Sequence, residues 1–231
     1  IGPSDKDMIS EQIKYTKKNI MNYRNIYLIC YDPLIKIDGC ITIDENIFPF
    51  NKDTVAKHHG KLERNGWYLQ QLLKFYAGKI IPNILERYLV IDSDTFFLKP
   101  TTFVENNKCL YNYGTEYHKP YFHHMEKLDK DLTKIDKNKS GICHHMMFEK
   151  KYIDELFSKI EKNHNELFYN IIIKKVTETT KAGASEYEIY FNYMLKYNPD
   201  KIQIRKLNWK NTDKLETNSK LDYISYHWYM R

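Results

Sequence analysis

The stretch Tyr88-Leu89-Val90-Ile91-Asp92-Ser93-Asp94-Thr95-Phe96-Phe97-Leu98-Lys99-Pro100 decides how the rest of the chain is read. Its four leading apolar residues are too apolar for a half-exposed strand, so they read as a buried one. The run passes directly into two carboxylates. In open α/β sheets ligands bind beyond the carboxyl ends of the strands, which is where Asp92 and Asp94 stand. Spaced one residue apart, they can both reach a hard divalent cation, Mn²⁺ or Mg²⁺, with diphosphate oxygens and water filling the remaining positions. A solvated turn is the ordinary alternative for Asp-x-Asp. Two carboxylates left unpartnered at a buried strand end would be costly, which favours the site.

Upstream, residues 65–77 read as an amphipathic helix closed by Gly78 in the favoured C-terminal position. Leu69, Leu72, Leu73 and Tyr76 form its apolar stripe. Trp67, Gln70, Gln71 and Lys74 share a second, polar and aromatic face that either meets a ligand or borders water. Earlier still, residues 5–22 carry a moderate helical pattern, and residues 25–31 and 39–44 read as strands. The opening Ile1-Gly2-Pro3-Ser4 resembles the tail of a strand entering its loop. Downstream, the pattern is looser over residues 111–124, and residues 127–139 are charged and expected at the surface. Residues 141–148 return to a strand, 151–166 to a helix, and Ser185 caps a further helix with Glu186 and Glu188 in its first turn. Residues 223–229 alternate and read as a strand or a lid. Alternating strands and helices imply an α/β fold with a mostly parallel sheet flanked by helices.

The 231 residues suit one such domain. Hydrophobic residues at 42% and charged residues at 29% exclude wholesale disorder. The net charge of +6 comes from scattered lysines, which signals no nucleic-acid partner but favours a phosphate-bearing ligand. Cys30, Cys40, Cys109 and Cys143 form no CxxC pair and read as free thiols, and neither they nor the histidines show structural-zinc spacing. No apolar run approaches the roughly 18 residues of a membrane span, and no signal-peptide core is seen, so a cytoplasmic location is expected.

Residues 88–100 resemble the Asp-x-Asp core of GT-A fold glycosyltransferases. Gly66-Trp67-Tyr68-Leu69-Gln70-Gln71-Leu72-Leu73-Lys74, Ser140-Gly141-Ile142-Cys143-His144-His145-Met146-Met147-Phe148 and Ser185-Glu186-Tyr187-Glu188 are similar to a little-characterised branch of that superfamily. The resemblance implies a Rossmann-like domain over residues 1–231, with a nucleotide-sugar half to about residue 110 and an acceptor half from about 111. It further implies transfer of a hexose from a nucleotide diphosphate sugar, usually UDP-linked, to a hydroxyl of a glycan, protein or small molecule. Asp92 would lie near the ribose or metal, with Ser93 between it and Asp94, the direct metal ligand. Arg64, Trp67, Gln71 and Lys74 would line the donor side. A His near the C-terminus often completes such a metal site, which points to His227, unless it only packs among the neighbouring aromatics.

An inverting transferase needs a general base, and Glu186 is the first choice with Glu188 second. Acids in a first helical turn also simply complement the helix dipole. One of His144 and His145 is expected to touch sugar or phosphate, a satisfied core histidine being the alternative. The competing functions are a catalytically inactive sugar-binding GT-A module and, more remotely, a haloacid dehalogenase-type phosphatase. The latter places its Asp-x-Asp on the first strand, followed after one spacer by Thr or Val, a place held here by Phe96.

Overall fold

Helices and strands come in blocks rather than in the expected alternation, in a computed structural model that describes residues 1–215, 220–227 and 230. In order the elements are α1 (Ile9–Asn19), β1 (Tyr27–Cys30), β2 (Ile41–Asp44), α2 (Lys52–His59), α3 (Asn65–Ile80), β3 (Arg87–Ile91), β4 (Thr95–Phe97), β5 (Val104–Glu105) and β6 (Lys108–Asn112). They continue with α4 (Lys119–Leu128), β7 (His145–Glu149), α5 (Lys150–His164), α6 (Phe168–Lys174), α7 (Glu186–Tyr197), β8 (Ile202–Arg205), β9 (Trp209–Asn211) and β10 (Tyr223–Ser225). Trp228 and Tyr229, the end of the last expected strand or lid, lie outside the described residues.

The architecture is mixed α/β, but the sheets are small. β1 and β2 pair in parallel, and β3 pairs with β7 antiparallel. β10 lies between β4, antiparallel, and β9, parallel. β6 lies between β5, antiparallel, and β8, parallel. A mostly parallel sheet is therefore not what forms among the described residues, where three strand pairings run each way. The apolar run of β3 signals burial but not direction, and its partner arrives from the far half of the chain. With one neighbour, β3 also keeps Leu89, Val90 and Ile91 partly exposed rather than wholly buried.

One apolar core joins residues from Ile20 to Tyr223, and α3 runs through it with Leu69, Leu72, Leu73, Phe75 and Tyr76 buried. Gly78 does not end this helix, which continues to Ile80. A Cβ there would lie 2.7 Å from Tyr88 Cε1, so this glycine lets β3 approach the helix. Of the four cysteines, all free, Cys30, Cys109 and Cys143 are buried. The stretch after residue 110, expected to be loose, contains β6 and α4, whose start carries Pro120. Within the charged stretch 127–139, Leu128, Asp129 and Leu132 are buried.

The strand β4 keeps one edge open, and α1 closes it with amides. Gln12 Nε2 donates to the Thr95 carbonyl at 2.9 Å and Asn19 Nδ2 to the Phe97 carbonyl at 2.6 Å. These buried side chains satisfy carbonyls that no strand reaches. No helix among the described residues is long and apolar enough to cross a membrane.

Candidate functional site

The Asp92-Ser93-Asp94-Thr95 turn is held from both halves of the chain. The Asp92 amide donates to the His144 carbonyl at 2.9 Å, extending the β3–β7 ladder by one step, and the Thr95 amide closes the turn on the Asp92 carbonyl at 2.9 Å. Beyond β10, the Tyr226 amide donates to the Asp94 carbonyl at 2.7 Å. Ser93 Oγ donates to Asp5 Oδ2 at 2.6 Å, bringing the N-terminal 3₁₀ turn Pro3–Asp5 against the site.

Each carboxylate meets a different set of groups. Asp92 Oδ1 accepts from Lys74 Nζ at 2.5 Å and from Tyr187 Oη at 2.6 Å, and Asp92 Oδ2 faces His144 Nδ1 at 3.5 Å. Lys74 Nζ also donates to Glu186 Oε1 at 2.6 Å and sits 4.5 Å from the centroid of the Tyr187 ring. Asp94 Oδ2 lies 3.0 Å from His227 Nδ1, and Ser225 Oγ donates to Asp94 Oδ1 at 3.4 Å. The His144 and His227 rings, centroids 4.9 Å apart, join the two sets. A line of contacts therefore runs Glu186, Lys74, Asp92, His144, His227, Asp94, polar at each step except the edge-on ring contact of the two histidines.

Burial and charge oppose one another in this cluster. Burial alone would raise the Asp92 pKa, but the Lys74 ammonium and His144 hold it well below the usual carboxylate range. Burial would likewise lower Lys74, yet Asp92 and Glu186 raise it above its ordinary value. Glu186 is raised, chiefly by burial, against the opposing pull of Lys74. One ammonium thus holds two carboxylates of unequal basicity.

Not every expected residue joins this line. Glu188 is two residues beyond Glu186 and so faces another side of α7. It is wholly buried, accepting from Ser140 Oγ at 2.5 Å and Asn192 Nδ2 at 2.8 Å, and it ties the loop before β7 to the helix. His145 is buried among Phe97, Phe103 and Tyr223 with neither ring nitrogen partnered, and its pKa is pushed down to about 3, mainly by burial. His144 precedes the strand with φ +60°, and the two rings turn to opposite sides. Gln71, one turn from Lys74, is buried and donates to the Ala184 carbonyl at 3.3 Å, ahead of the Ser185 cap. Arg64, at the N-cap of α3, and Trp67 in its first turn lie further off, the guanidinium 5.6 Å from the indole centroid.

Tyr187, Trp209 and Asp5 belong to the site neighbourhood without a sequence signal that singles them out. Trp209 meets the His144 ring edge-on at 5.0 Å. Two open clefts elsewhere, one including Arg87 and Glu149 and one including Lys79 and Asp154, share no residue with the cluster, and each contains a satisfied charge pair.

The sequence profile of a family described as a family of unknown function, DUF6492, matches residues 34–229. The chain belongs to that family. The matched span takes in all the cluster residues from Lys74 to His227, while Asp5 and α1 precede it. A comparison with curated proteins finds no match.

Asp94 and His227 present adjacent oxygen and nitrogen donors with side chains 13% and 16% exposed, a donor pair that fits a divalent cation open to solvent. Among the described residues no three His, Cys, Asp or Glu side chains come together as a metal cage. Asp92 Oδ1 is already engaged twice, by the Lys74 ammonium and the Tyr187 hydroxyl, whereas Asp94 meets no ammonium.

Proposed function

We propose that this chain is a GT-A type glycosyltransferase that moves a hexose from a nucleotide diphosphate sugar, with UDP-sugars the first donors to test, to a hydroxyl acceptor. The observation that carries the reading is the convergence of Asp92, Asp94, Lys74, Glu186, His144 and His227 on one turn. Two carboxylates with a neighbouring imidazole and a fixed ammonium suit a diphosphate brought in with a cation. Asp94 and His227 would hold Mn²⁺ or Mg²⁺, which supplies neutralisation of the charge on the departing diphosphate.

In an inverting reaction the acceptor oxygen bonds to the anomeric carbon as its bond to the diphosphate breaks, and the electron pair leaves with the diphosphate. The hydroxyl proton then goes to Glu186, whose raised pKa suits proton uptake. Lys74 bridges the buried Glu186 and the partly exposed Asp92. A ligand that binds only the folded state raises the melting temperature, by about 2.7 kcal/mol of stability at a hundredfold excess over Kd. UDP, GDP and CDP should therefore be screened with and without Mn²⁺. The expected result is a Mn²⁺-dependent shift with one nucleotide, lost in Asp94→Ala. A complete lack of metal-dependent shift would leave the inactive sugar-binding module as the better reading.

A further inference from the structure

Glu186 follows a segment without helix or strand, residues 175–185, yet its carboxylate is held in one place against Lys74. Side chains of α3 fasten that segment turn by turn. The Gly183 amide donates to Tyr68 Oη at 3.0 Å, and Oη directs its single proton at the Lys181 carbonyl at 2.8 Å, with the Glu178 carbonyl at 3.0 Å. Gln71 Nε2 donates to the Ala184 carbonyl, and Lys74 Nζ to Glu186 Oε1. Residues 68, 71 and 74 follow one side of the helix at intervals of three, and they meet 183, 184 and 186 in the same order.

Tyr68 is the firmest of these fastenings. A Cβ at Gly183 would stand 3.0 Å from Tyr68 Oη and 2.8 Å from Val176 Cγ1, so the missing side chain lets the segment close on the hydroxyl. From α4, His118 Nε2 lies 2.7 Å from the Ala182 carbonyl. Backbone groups that leave water need partners, and without a ladder or a helix those partners are side chains. One phenol hydroxyl here serves three of them. At 1% exposure it is too deep to touch a ligand, so any effect it has on chemistry passes through the segment it holds.

We infer that Tyr68 is a positioning residue for Glu186: its hydroxyl fixes the chain at Gly183 and thereby the start of α7 and its carboxylate. The inference rests on the transferase reading for the role of Glu186 as base. Tyr68→Phe keeps the packed ring but leaves the Gly183 amide and the Lys181 carbonyl without their partner, which loosens the approach to Glu186. A displacement of about 1 Å at a reacting group can cost on the order of a hundredfold in rate.

The test follows release of UDP from UDP-glucose, UDP-galactose and UDP-N-acetylglucosamine with Mn²⁺ present and water as the acceptor. The water oxygen bonds to the anomeric carbon as the bond to the diphosphate breaks, and its proton goes to Glu186. Wild type, Tyr68→Phe, Glu186→Gln and the double variant are compared. Tyr68→Phe is expected to lower kcat about tenfold with KM changed less than about twofold. In the Glu186→Gln background it should lower kcat no further, because nothing is left to position. An equal loss in both backgrounds overturns the inference, and so does full kcat in Tyr68→Phe. Gln71→Met carries the same comparison if Tyr68→Phe does not fold. A wild type that releases no UDP from any donor overturns the transferase reading, and amide hydrogen exchange then decides the positioning by itself. Exchange should quicken about tenfold in Tyr68→Phe both at Gly183 and across Ser185 to Glu188, and quickening confined to Gly183 overturns the inference.

Discussion

The two faces of the β3–β7 pair place adjacent residues in opposite environments. On one face Asp92 and His144 meet Lys74, Tyr187 and His227, and every charge has a counter-charge or donor. On the other, His145 is enclosed by Phe97, Phe103 and Tyr223, with no side-chain hydrogen bond among the described residues. The same side chain is a polar participant at one position and an apolar filler at the next. His144, just before the strand, holds a left-handed φ of +60°. Residue type alone does not tell a site histidine from a core histidine; the neighbours on each face do.

The comparison breaks most severely on the charged face. Lys74→Met leaves Asp92 and Glu186 close together without their shared cation. Loss of one partner from a buried ion cluster costs about 3–5 kcal/mol. Urea unfolding should show that loss, and Lys74→Met combined with Glu186→Gln should recover part of it. An unchanged unfolding midpoint in Lys74→Met would mean the two carboxylates are stable without it.

The aromatic face is sharpened by acid. His145, held neutral with a pKa of about 3, takes up a proton near its ordinary 6.5 once unfolded. Below 6.5 the unfolded chain therefore binds more protons, and stability falls as the pH drops toward 3, by up to about 1.4 kcal/mol per pH unit. His124, pushed down to about 4 mainly by burial, contributes in the same direction. His145→Phe should reduce the slope between pH 6.5 and 5, with His124 and His59 among the groups that keep part of it, when unfolding midpoints are measured across a pH series. An identical slope in the variant would show that His145 does not stay neutral.

The smallest effect concerns how Glu186 and Tyr187 are presented. Ser185 Oγ accepts from the Glu188 amide at 3.3 Å as the cap of α7. Ser185→Ala should cost about 1 kcal/mol by thermal or urea unfolding. A loss several times larger would mean that Ser185 supports the cluster itself rather than only the helix start.

Much of the frame was legible because its signals are local. The run before Asp92 gives β3, the stripe of Leu69, Leu72, Leu73 and Tyr76 gives α3, and Ser185 caps α7 as its position implies. Lys74, Asp92, Asp94, Glu186 and His227 could be nominated, but their meeting depends on contacts spanning up to 133 positions in the chain. What stayed hidden is non-local or conformational. The antiparallel pairing of β3 with β7 leaves no trace in either apolar run. Gly78 serves the ring of Tyr88 rather than a helix end. The helix α6 was missed because Ile171-Ile172-Ile173 is β-branched and resembles a strand, until packing against the core overrides that preference. Tyr187 reads as one more apolar position of α7, although its hydroxyl reaches Asp92.

The amides that α1 lends to β4 bear on how the protein keeps to itself. Thr95 and Phe97 turn their carbonyls toward Gln12 and Asn19, so the outer side of the strand that follows the aspartates offers no free template to another chain. A fragment lacking the first twenty residues would bare that edge beside two buried phenylalanines, Phe96 and Phe97. Self-association, rather than simple loss of a helix, is the fate that such a truncation invites.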